Sequence, residues 1–269
     1  MSEIKDKINW MKESFSIARS NGSLSWFRIY RFVFSKKGRK RMVRFAGKIL
    51  NYGWKKIMGR KEELLPDYKL WQKRNKLTQS KISQYKKEQK DFKFNPLISV
   101  VIPVYNAPVK FLKDAIESVT NQIYPNWEIC IADDKSTNAD VVAYLESLKE
   151  KAGMNVVFRS ENGHISACSN SCLELAKGEF VALLDQDDLI TRDALFKVVK
   201  ELNQNQSLDL IYSDEDKINE DGERKDPHFK PDWCPDNLLS RNYICHFSVF
   251  RKSILDEIGG FRIGFEGSQ

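Results

Sequence analysis

Apolar and polar positions follow two different patterns along the chain, and the pattern changes near residue 96. After that point, short apolar runs rich in β-branched residues alternate with segments whose apolar residues recur at helical spacing. The runs predict strands over residues 97–104, 127–132, 154–158, 180–184 and 208–213. The periodic segments predict helices over residues 107–122, 139–152, 165–177 and 192–203. Strands alternating with helices of this length predict an α/β domain with a mostly parallel sheet and helices on both faces.

Residues 1–95 lack this alternation. Apolar residues near the start recur at helical spacing and predict an amphipathic helix (Ile4, Ile8, Met11, Phe15 and Ala18). An aromatic run over 24–34 and a cationic cluster over 36–44 follow. Residues 77–93 are polar and rich in lysine, which is typical of a linker or a solvated helix. We therefore predict a basic, mainly helical arm and linker over 1–95 and a folded domain over 96–269.

The charges divide at the same place. The chain has a formal net charge of +7, but residues 1–95 have a balance of +18 and residues 96–269 a balance of −11. Mixed aromatic and basic residues favour binding of the arm to an anionic membrane surface, where rings enter the interface and cations meet headgroups. Packing of the arm on the acidic domain is the second interpretation. Nucleic acid ranks last, since no recognised nucleic-acid module is present.

The five cysteines show no metal-ligand spacing, and we expect them to be reduced thiols in or near the core. The N-terminus shows no secretory signal, and no apolar run is long enough to span a membrane. Together with the basic arm, these features predict a cytoplasmic protein that is peripheral at the inner membrane face.

Three carboxylates in four residues follow the apolar run 180–184, at Asp185, Asp187 and Asp188. Carboxylates this close repel one another unless a cation shares the site. Oxygen ligands favour a hard ion such as Mg²⁺ or Mn²⁺. An acidic turn that caps the following helix is the simpler interpretation of this segment alone.

Polar residues follow other predicted strands as well, over 103–106, 133–136 and 213–216. The carboxyl ends of parallel strands meet at one edge of a sheet, and ligands of α/β proteins bind in the crevice beyond that edge. Four strands that deliver polar groups to one edge favour a functional site over simple capping.

Five segments of this domain together resemble inverting glycosyltransferases of family 2, which have the nucleotide-binding GT-A fold. They are ISVVIPVYN (98–106), EICIADDKS (128–136), ENGHISACSNSCLELAKGEF (161–180), LLDQDDLI (183–190) and IGGFR (258–262). Each motif alone is weak, but the set, in this order and spacing, is specific. YSDEDKI (212–218), with FKPDWCPDNLL and NYICHFSVFR, is similar to the subgroup that builds O-antigen and other surface polysaccharides.

The resemblance implies a site for a nucleotide-diphosphate sugar. Its donor-binding residues would be Pro103, Tyr105, Asn106, Asp134, Asn162, Asn170, Asp185 and Asp188. Asp134 would accept a hydrogen bond from the imide of the base, whereas we expect Asp133 to form an Asx-type turn. For Asn170, a core amide satisfied by backbone is almost equally expected. Asp188 would contact the sugar or cap the following helix.

The resemblance places a Mn²⁺ or Mg²⁺ ion on Asp187 and the ribose near Asp185. His246 is a further metal-ligand candidate, although an isolated histidine at a strand edge is more often structural. An acidic group on the acceptor side comprises Asp214, Glu215 and Asp216. These acids would face the acceptor sugar, or else balance Lys217 and Lys225 around a hairpin turn at residues 221–222.

The implied reaction is one displacement with inversion at the anomeric carbon, toward a saccharide or lipid-linked acceptor. Similar proteins carry the general base in an acidic helix shortly after the GGFR loop. By this resemblance we expect the base to lie beyond Gln269, the last residue of the sequence, and Glu266 is the nearest candidate within it. The alternative function is a non-catalytic remnant that binds a nucleotide sugar and lacks its base. A nucleotidyltransferase is disfavoured because residues 103–108 contain neither glycine nor lysine.

Overall fold

The structure of the chain is a computed structural model that describes residues 66–219 and 221–266. The amphipathic helix, aromatic run and cationic cluster predicted in the arm lie outside these residues. The boundary that we placed between residues 95 and 96 stays a prediction.

A six-stranded sheet with the order β3-β2-β1-β4-β8-β5 forms the centre of the domain. Its strands are β1 (Ile98–Val104), β2 (Trp127–Asp133), β3 (Met154–Phe158), β4 (Phe180–Leu183), β5 (Leu210–Tyr212) and β8 (Ser248–Arg251). The first four are parallel, and β8 runs antiparallel to both β4 and β5. The predicted mostly parallel sheet is therefore confirmed, and β8 is an addition to it.

Helices precede the sheet and connect its strands. They are α1 (Pro66–Asn75), α2 (Gln79–Glu88), α3 (Val109–Thr120), α4 (Ala139–Glu146), α5 (His164–Leu175), α6 (Ala194–Gln204), α7 (Pro235–Ser240) and α8 (Lys252–Ile258), with a 3₁₀ turn at Gln89–Asp91. The helix predicted over 139–152 ends early, because the chain turns and passes through Gly153 at φ +78° to enter β3. β6 (Glu215–Ile218) and β7 (Arg224–His228) form a separate antiparallel hairpin, as the turn at residues 221–222 predicted.

Alternate residues of β1 face two different apolar clusters. Val100 and Ile102 belong to the larger cluster, which also contains apolar residues of α3 and α6. Val101 belongs to the smaller one, with Cys168 of α5 and Leu255 of α8. The sheet therefore has helices on both faces, as predicted. All five cysteines are free thiols.

Helix α2 packs on this core. Thr78 caps it by accepting a hydrogen bond from the Lys81 amide at 3.3 Å. Ile82 is buried, and the Tyr85 ring stacks on Phe196 with centroids 4.4 Å apart. The prediction of a linker or solvated helix over 77–93 is thus wrong for one face of the helix, where Ile82 and Tyr85 form a short apolar stripe on the core. Among the described residues, no helix combines the length and the apolar character that a membrane span needs.

Candidate active site at the carboxyl edge of the sheet

Four strand ends meet at one edge of the sheet. β1 ends at Val104, just before Tyr105, and β2 ends at Asp133. β4 leads into the acidic turn that begins at Asp185. Because β8 is antiparallel, with Leu183 opposite Ser248, its amino end lies at this same edge and carries His246 there.

Asp185, Asp188 and His246 form a cluster that offers ligand atoms to one metal ion. The His246 Nε2 lies 3.7 Å from an Asp185 oxygen, and its Nδ1 lies 3.7 Å from an Asp188 oxygen. One ligand atom from each residue lies within 4.8 Å of the others, and all three side chains are half-buried. The resemblance assigned the metal to Asp187, which is exposed and is not in this cluster. The assignment to Asp187 stays a prediction.

The electrostatics of this cluster suit a cation. Burial raises the pKa of Asp185 above its ordinary value; the His246 ring opposes the rise and Asp187 adds to it. Burial also raises the pKa of Asp188, against the effect of His246 and with further contributions from Asp185, Asp187 and Glu215. Two carboxylates that disfavour each other's charge, with an imidazole beside them, fit a Mn²⁺ ion, and their oxygens also suit Mg²⁺.

Gln186, which the sequence analysis did not single out, joins the acidic turn to the loop after β1. Its Oε1 accepts a hydrogen bond from the Tyr105 amide at 2.9 Å, and its Nε2 donates to the Tyr105 carbonyl at 3.4 Å. Tyr105 itself is 48% exposed at the edge of the sheet. The two loops are therefore held in one arrangement. The only signal in the sequence was the position of Gln186 between two aspartates.

Asp134 is buried, with 2% of its surface exposed, and its charge is matched from inside the protein. The Arg159 Nε lies 2.8 Å from its carboxylate, and the Gly163 amide donates to both oxygens at 3.0 and 3.2 Å. Asn162 donates to the Asp134 carbonyl at 3.0 Å. The structure thus brings Asn162 and Arg159 together at Asp134. The sequence analysis predicted Asn162 and Asp134 as site residues but not Arg159. The role of Asp134 toward a base stays a prediction.

Asp133 and Asn106 brace the loop between β2 and α4. Asp133 accepts a hydrogen bond from the Ser136 amide at 2.9 Å, which is the turn expected for it. Its other oxygen is buried with no hydrogen-bond partner among the described residues. The Asn106 Oδ1 accepts hydrogen bonds from the amides of Thr137 and Asn138 at 2.8 and 3.0 Å. Pro103 lies within β1, opposite Ala132.

Asn170 holds the glycine-rich loop after α8. Its amide donates to the Phe261 carbonyl at 2.9 Å and accepts from the Phe261 amide at 2.8 Å. Gly260 in this loop has φ +73°, and a Cβ there would lie 2.5 Å from the Asn170 Oδ1. The side chain is thus satisfied by backbone, as the alternative interpretation proposed, while its donor-binding role stays a prediction.

The three acids assigned to the acceptor side are engaged with the hairpin. Asp214 accepts a hydrogen bond from the Lys230 amide at 2.7 Å, and Asp216 pairs with the Arg224 Nε at 2.6 Å. Glu215 pairs with His228 at 2.9 Å. A cavity of 420 Å³ lies beside them, lined by Tyr212, Ser213, Asp214, Lys230, Pro231 and Asp232.

Glu266, the candidate base, is exposed in the last described loop. Its Oε1 accepts a hydrogen bond from the Gly264 amide at 3.0 Å. This bond, more than any other contact, holds the pKa of Glu266 below its ordinary value. A lowered pKa makes the carboxylate a weaker base, so the geometry adds no support for that assignment. Gln269, beyond which the resemblance places the base, lies outside the described residues, so that expectation stays a prediction.

Comparison with known proteins covers most of the domain. The family model described as "Glycosyl transferase family 2" matches residues 99–259. This range contains each residue assigned above to donor binding, to the metal and to the acceptor side.

Two relatives each match 175 residues, 65% of the chain. The uncharacterized protein y4gI of Sinorhizobium fredii is 50% identical, and the O-antigen biosynthesis protein RfbC of Myxococcus xanthus is 37% identical. The matches cover 19% and 14% of those proteins, so the chain spans less than a fifth of their lengths.

Two solved structures have a similar fold. S. aureus TarS 1–349 in complex with UDP-GlcNAc matches with a TM-score of 0.52 and 22% identity, over 61% of this chain and 48% of that one. The mannosyltransferase PcManGT from Pyrobaculum calidifontis, in complex with GDP-Man and Mn²⁺, matches with a TM-score of 0.50 and 18% identity, over 70% and 55% of the two chains. These likenesses confirm the predicted GT-A fold.

Proposed function

The chain belongs to glycosyl transferase family 2, and from this premise we propose that its domain transfers a sugar from a nucleotide-diphosphate donor to a saccharide or lipid-linked acceptor, with inversion, in surface polysaccharide synthesis. One observation carries the proposal beyond family membership. Asp185, Asp188 and His246 meet at the edge where α/β proteins bind ligands, and Gln186 of the same turn is hydrogen-bonded to the backbone of the exposed Tyr105.

The names of the similar proteins support this choice of substrates. RfbC acts in O-antigen biosynthesis by its name, and the TarS and PcManGT structures contain UDP-GlcNAc and GDP-Man. A nucleotide sugar as donor and a polysaccharide as product are consistent with these relatives. The base and the sugar differ between the two structures, so we propose only the class.

Asp185, Asp188 and His246 would hold the metal, with the exposed Asp187 next to them, and we expect Mn²⁺ or Mg²⁺. A bound divalent cation would supply electrostatic stabilisation of the charge that develops on the leaving diphosphate. The half-buried setting of the three ligands strengthens this effect, since less water screens the charges.

The loops around this cluster would bind the rest of the donor. The exposed Tyr105 ring offers a surface for the base, and Asp134 would accept from its imide while Arg159 keeps its charge in place. Gln186 fixes Tyr105 relative to the acidic turn, so the base and the diphosphate would be bound in one register.

The acceptor would lie on the side of Asp214, Glu215 and Asp216, next to the 420 Å³ cavity. A carboxylate there, or in an acidic helix beyond Gln269, would take the proton of the acceptor hydroxyl. We also propose that the basic arm binds an anionic membrane at the inner face, where a lipid-linked acceptor would be available. Vesicle binding by the whole chain that is equal for neutral and anionic lipids, or absent for both, would refute the membrane part.

Thermal stabilisation by nucleotide sugars tests the donor proposal. A ligand that binds the native state raises the melting temperature, so one member of a panel of uridine, guanosine and thymidine diphosphate sugars should do so in the presence of Mn²⁺. Asp188→Asn should abolish the metal-dependent part of the shift, and Asp221→Asn, in the hairpin turn, should leave it unchanged. A panel without any shift, or a shift that is indifferent to Asp188→Asn, would refute the proposed site. Sugar transfer to an acceptor extract would then separate an active enzyme from a non-catalytic remnant.

A further inference from the structure

The main chain of His246 is held by two charged side chains. The Glu215 Oε2 accepts a hydrogen bond from the His246 amide at 2.9 Å, and the Lys230 Nζ donates to the His246 carbonyl at 2.8 Å. The two charged groups lie 4.0 Å from each other. We name this arrangement, formed by Glu215 and Lys230, the backbone clamp.

His246 needs such partners because it lies beyond the sheet ladder. The pairing of β8 with β4 ends at Ser248, opposite Leu183. Phe247 is held by Ser213, whose hydroxyl accepts from its amide at 3.2 Å and whose amide donates to its carbonyl at 3.1 Å. One residue further, the described part of the chain provides no backbone partner for His246, and the backbone clamp satisfies both of its polar groups.

Lys230 is an unusual residue for a purely supporting role. Its side chain is only 1% exposed, and lysine is almost never fully buried unless it is paired. Burial lowers the pKa of Lys230, and the charges of Glu215, Cys245 and Asp214 act in the opposite direction. An apolar side chain of similar length would fill the same space without this desolvation cost. An apolar side chain could not supply the hydrogen bond that the ammonium donates to His246.

Glu215 is itself fixed on its other side. Its Oε1 pairs with the His228 Nδ1 at 2.9 Å, at the end of β7. Burial acts to raise its pKa, but the bonds from His228 and His246 and the charge of Lys230 outweigh it, so the pKa of Glu215 lies below its ordinary value. The clamp thus joins Glu215 of β6 to Lys230, which follows β7, with His228 of β7 holding Glu215.

We propose that Glu215 and Lys230 are positioning residues for the metal site: by fixing both polar groups of the His246 backbone, they place its ring between Asp185 and Asp188 and so raise the affinity for a divalent cation. This inference rests on the proposed function, because the metal site is part of it. The inference also gives Glu215, in the YSDEDKI segment, a role other than contact with an acceptor sugar.

Partners that orient a metal ligand typically contribute about 10- to 100-fold to metal affinity. In the full 269-residue chain, Lys230→Met keeps the aliphatic stem and removes the donor. We expect it to weaken Mn²⁺ binding, measured by electron paramagnetic resonance of the free ion, by roughly 10-fold or more. Lys225→Met, the same change at an exposed position of the same hairpin, is the matched control and should leave the affinity unchanged.

A double-mutant cycle with His246→Ala separates positioning from general support. If Lys230 acts through the ring of His246, then Lys230→Met in the His246→Ala background should weaken Mn²⁺ binding by less than about twofold, since the ring is already absent. An equal loss in both backgrounds would overturn the inference, because the effect would then not pass through His246. A Lys230→Met protein with the same Mn²⁺ affinity as the Lys225→Met control would also overturn the inference.

Folding of each variant is checked by circular dichroism before titration. Should Lys230→Met fail to fold, the same cycle uses Glu215→Ala, with Glu223→Ala on the exposed turn side of the hairpin as its control. A Glu215→Ala protein with the affinity of its control would refute the inference. Wild-type protein that binds no Mn²⁺ would refute the proposed metal site itself, and with it this inference, whereas tight wild-type binding with unaffected clamp variants would refute the inference alone.

Discussion

Replacement of Arg159 by methionine tests the buried pair at the end of β2. Arg159 is 18% exposed and Asp134 only 3%, with 2.8 Å between the Nε and the carboxylate. Arg159→Met leaves the Asp134 charge buried without its cation and also removes the hydrogen bonds from Nη1 to the Ala167 carbonyl and the Ser171 hydroxyl, at 2.7 and 2.6 Å. We therefore expect a marked loss of stability.

The structure sets the size of this loss. Removing one partner of a buried ion pair typically costs about 3–5 kcal/mol. Gly163 still donates to both oxygens of Asp134, so we expect a value near the lower limit, about 3 kcal/mol. For a domain of this size, that corresponds to a fall of roughly 6–12 °C in melting temperature. Urea unfolding at neutral pH gives the free energy, and Arg262→Met, an exposed position, is the control.

The second arm of this experiment removes the orphaned charge. Asp134→Asn should destabilise the wild-type protein, since Arg159 then loses its partner. In the Arg159→Met background the same change should restore part of the stability, with a coupling energy of roughly 2 kcal/mol between the two sites. Additive losses, or an Arg159→Met protein within about 0.5 kcal/mol of the control, would show that the pair is not an interacting buried unit.

Three further predictions concern the loops of the site. Asp188→Asn should raise the free energy of unfolding of the metal-free protein at pH 7 while it abolishes Mn²⁺ binding. Because the pKa values of Asp185 and Asp188 are raised in the folded protein, the stability that these carboxyls contribute is present at low pH and is lost as pH rises through their native pKa values. Urea unfolding of wild type and variant at a series of pH values measures this loss. Gln186→Ala should weaken binding of a nucleoside diphosphate with Mn²⁺ more than binding of Mn²⁺ alone, because it releases Tyr105 from the acidic turn, and calorimetric titration of each ligand separates the two effects. Gly163→Ala should cost about 1–3 kcal/mol in thermal unfolding, because the added Cβ would lie 2.6 Å from the Arg159 Nη2 and 2.8 Å from the Ala167 Cβ.

Hydrophobic periodicity was sufficient to predict the parallel part of the sheet. The runs before Tyr105, Asp133 and Asp185 are strongly apolar and β-branched, and their strands lie within two residues of the predicted bounds. Strand β8 was missed because it has only four residues, Ser248–Arg251, of which two are polar. Its antiparallel direction depends on pairing with β4 and β5, which no local pattern encodes.

The apolar pattern alone indicated site residues only where they follow a strand, whereas candidates such as Asn162 and His246 came from the resemblance. Asp134 and Asp185 became candidates because they lie within two residues of the ends of β2 and β4. Arg159 and Lys230 were not found, because an arginine or lysine in a polar segment carries no sign that it will be buried beside an acid 25 or 15 residues away. The grouping of His246 with Asp185 and Asp188 follows from the direction of β8, so its geometry became visible only in three dimensions.

The distribution of charge pairs is consistent with the cation that we propose at the acidic turn. Asp134 is matched by Arg159, Asp216 by Arg224, and Glu215 by Lys230, so these three acids lie beside cations of the protein itself. Asp185 and Asp188 instead face the half-exposed ring of His246, which carries a charge only when it is protonated. Carboxylates gathered in this way destabilise the metal-free fold, and a divalent ion that binds only the native state reverses that cost. Stability and metal binding should therefore be coupled at this turn, whereas at Asp134 and Glu215 stability depends on the protein's own pairs.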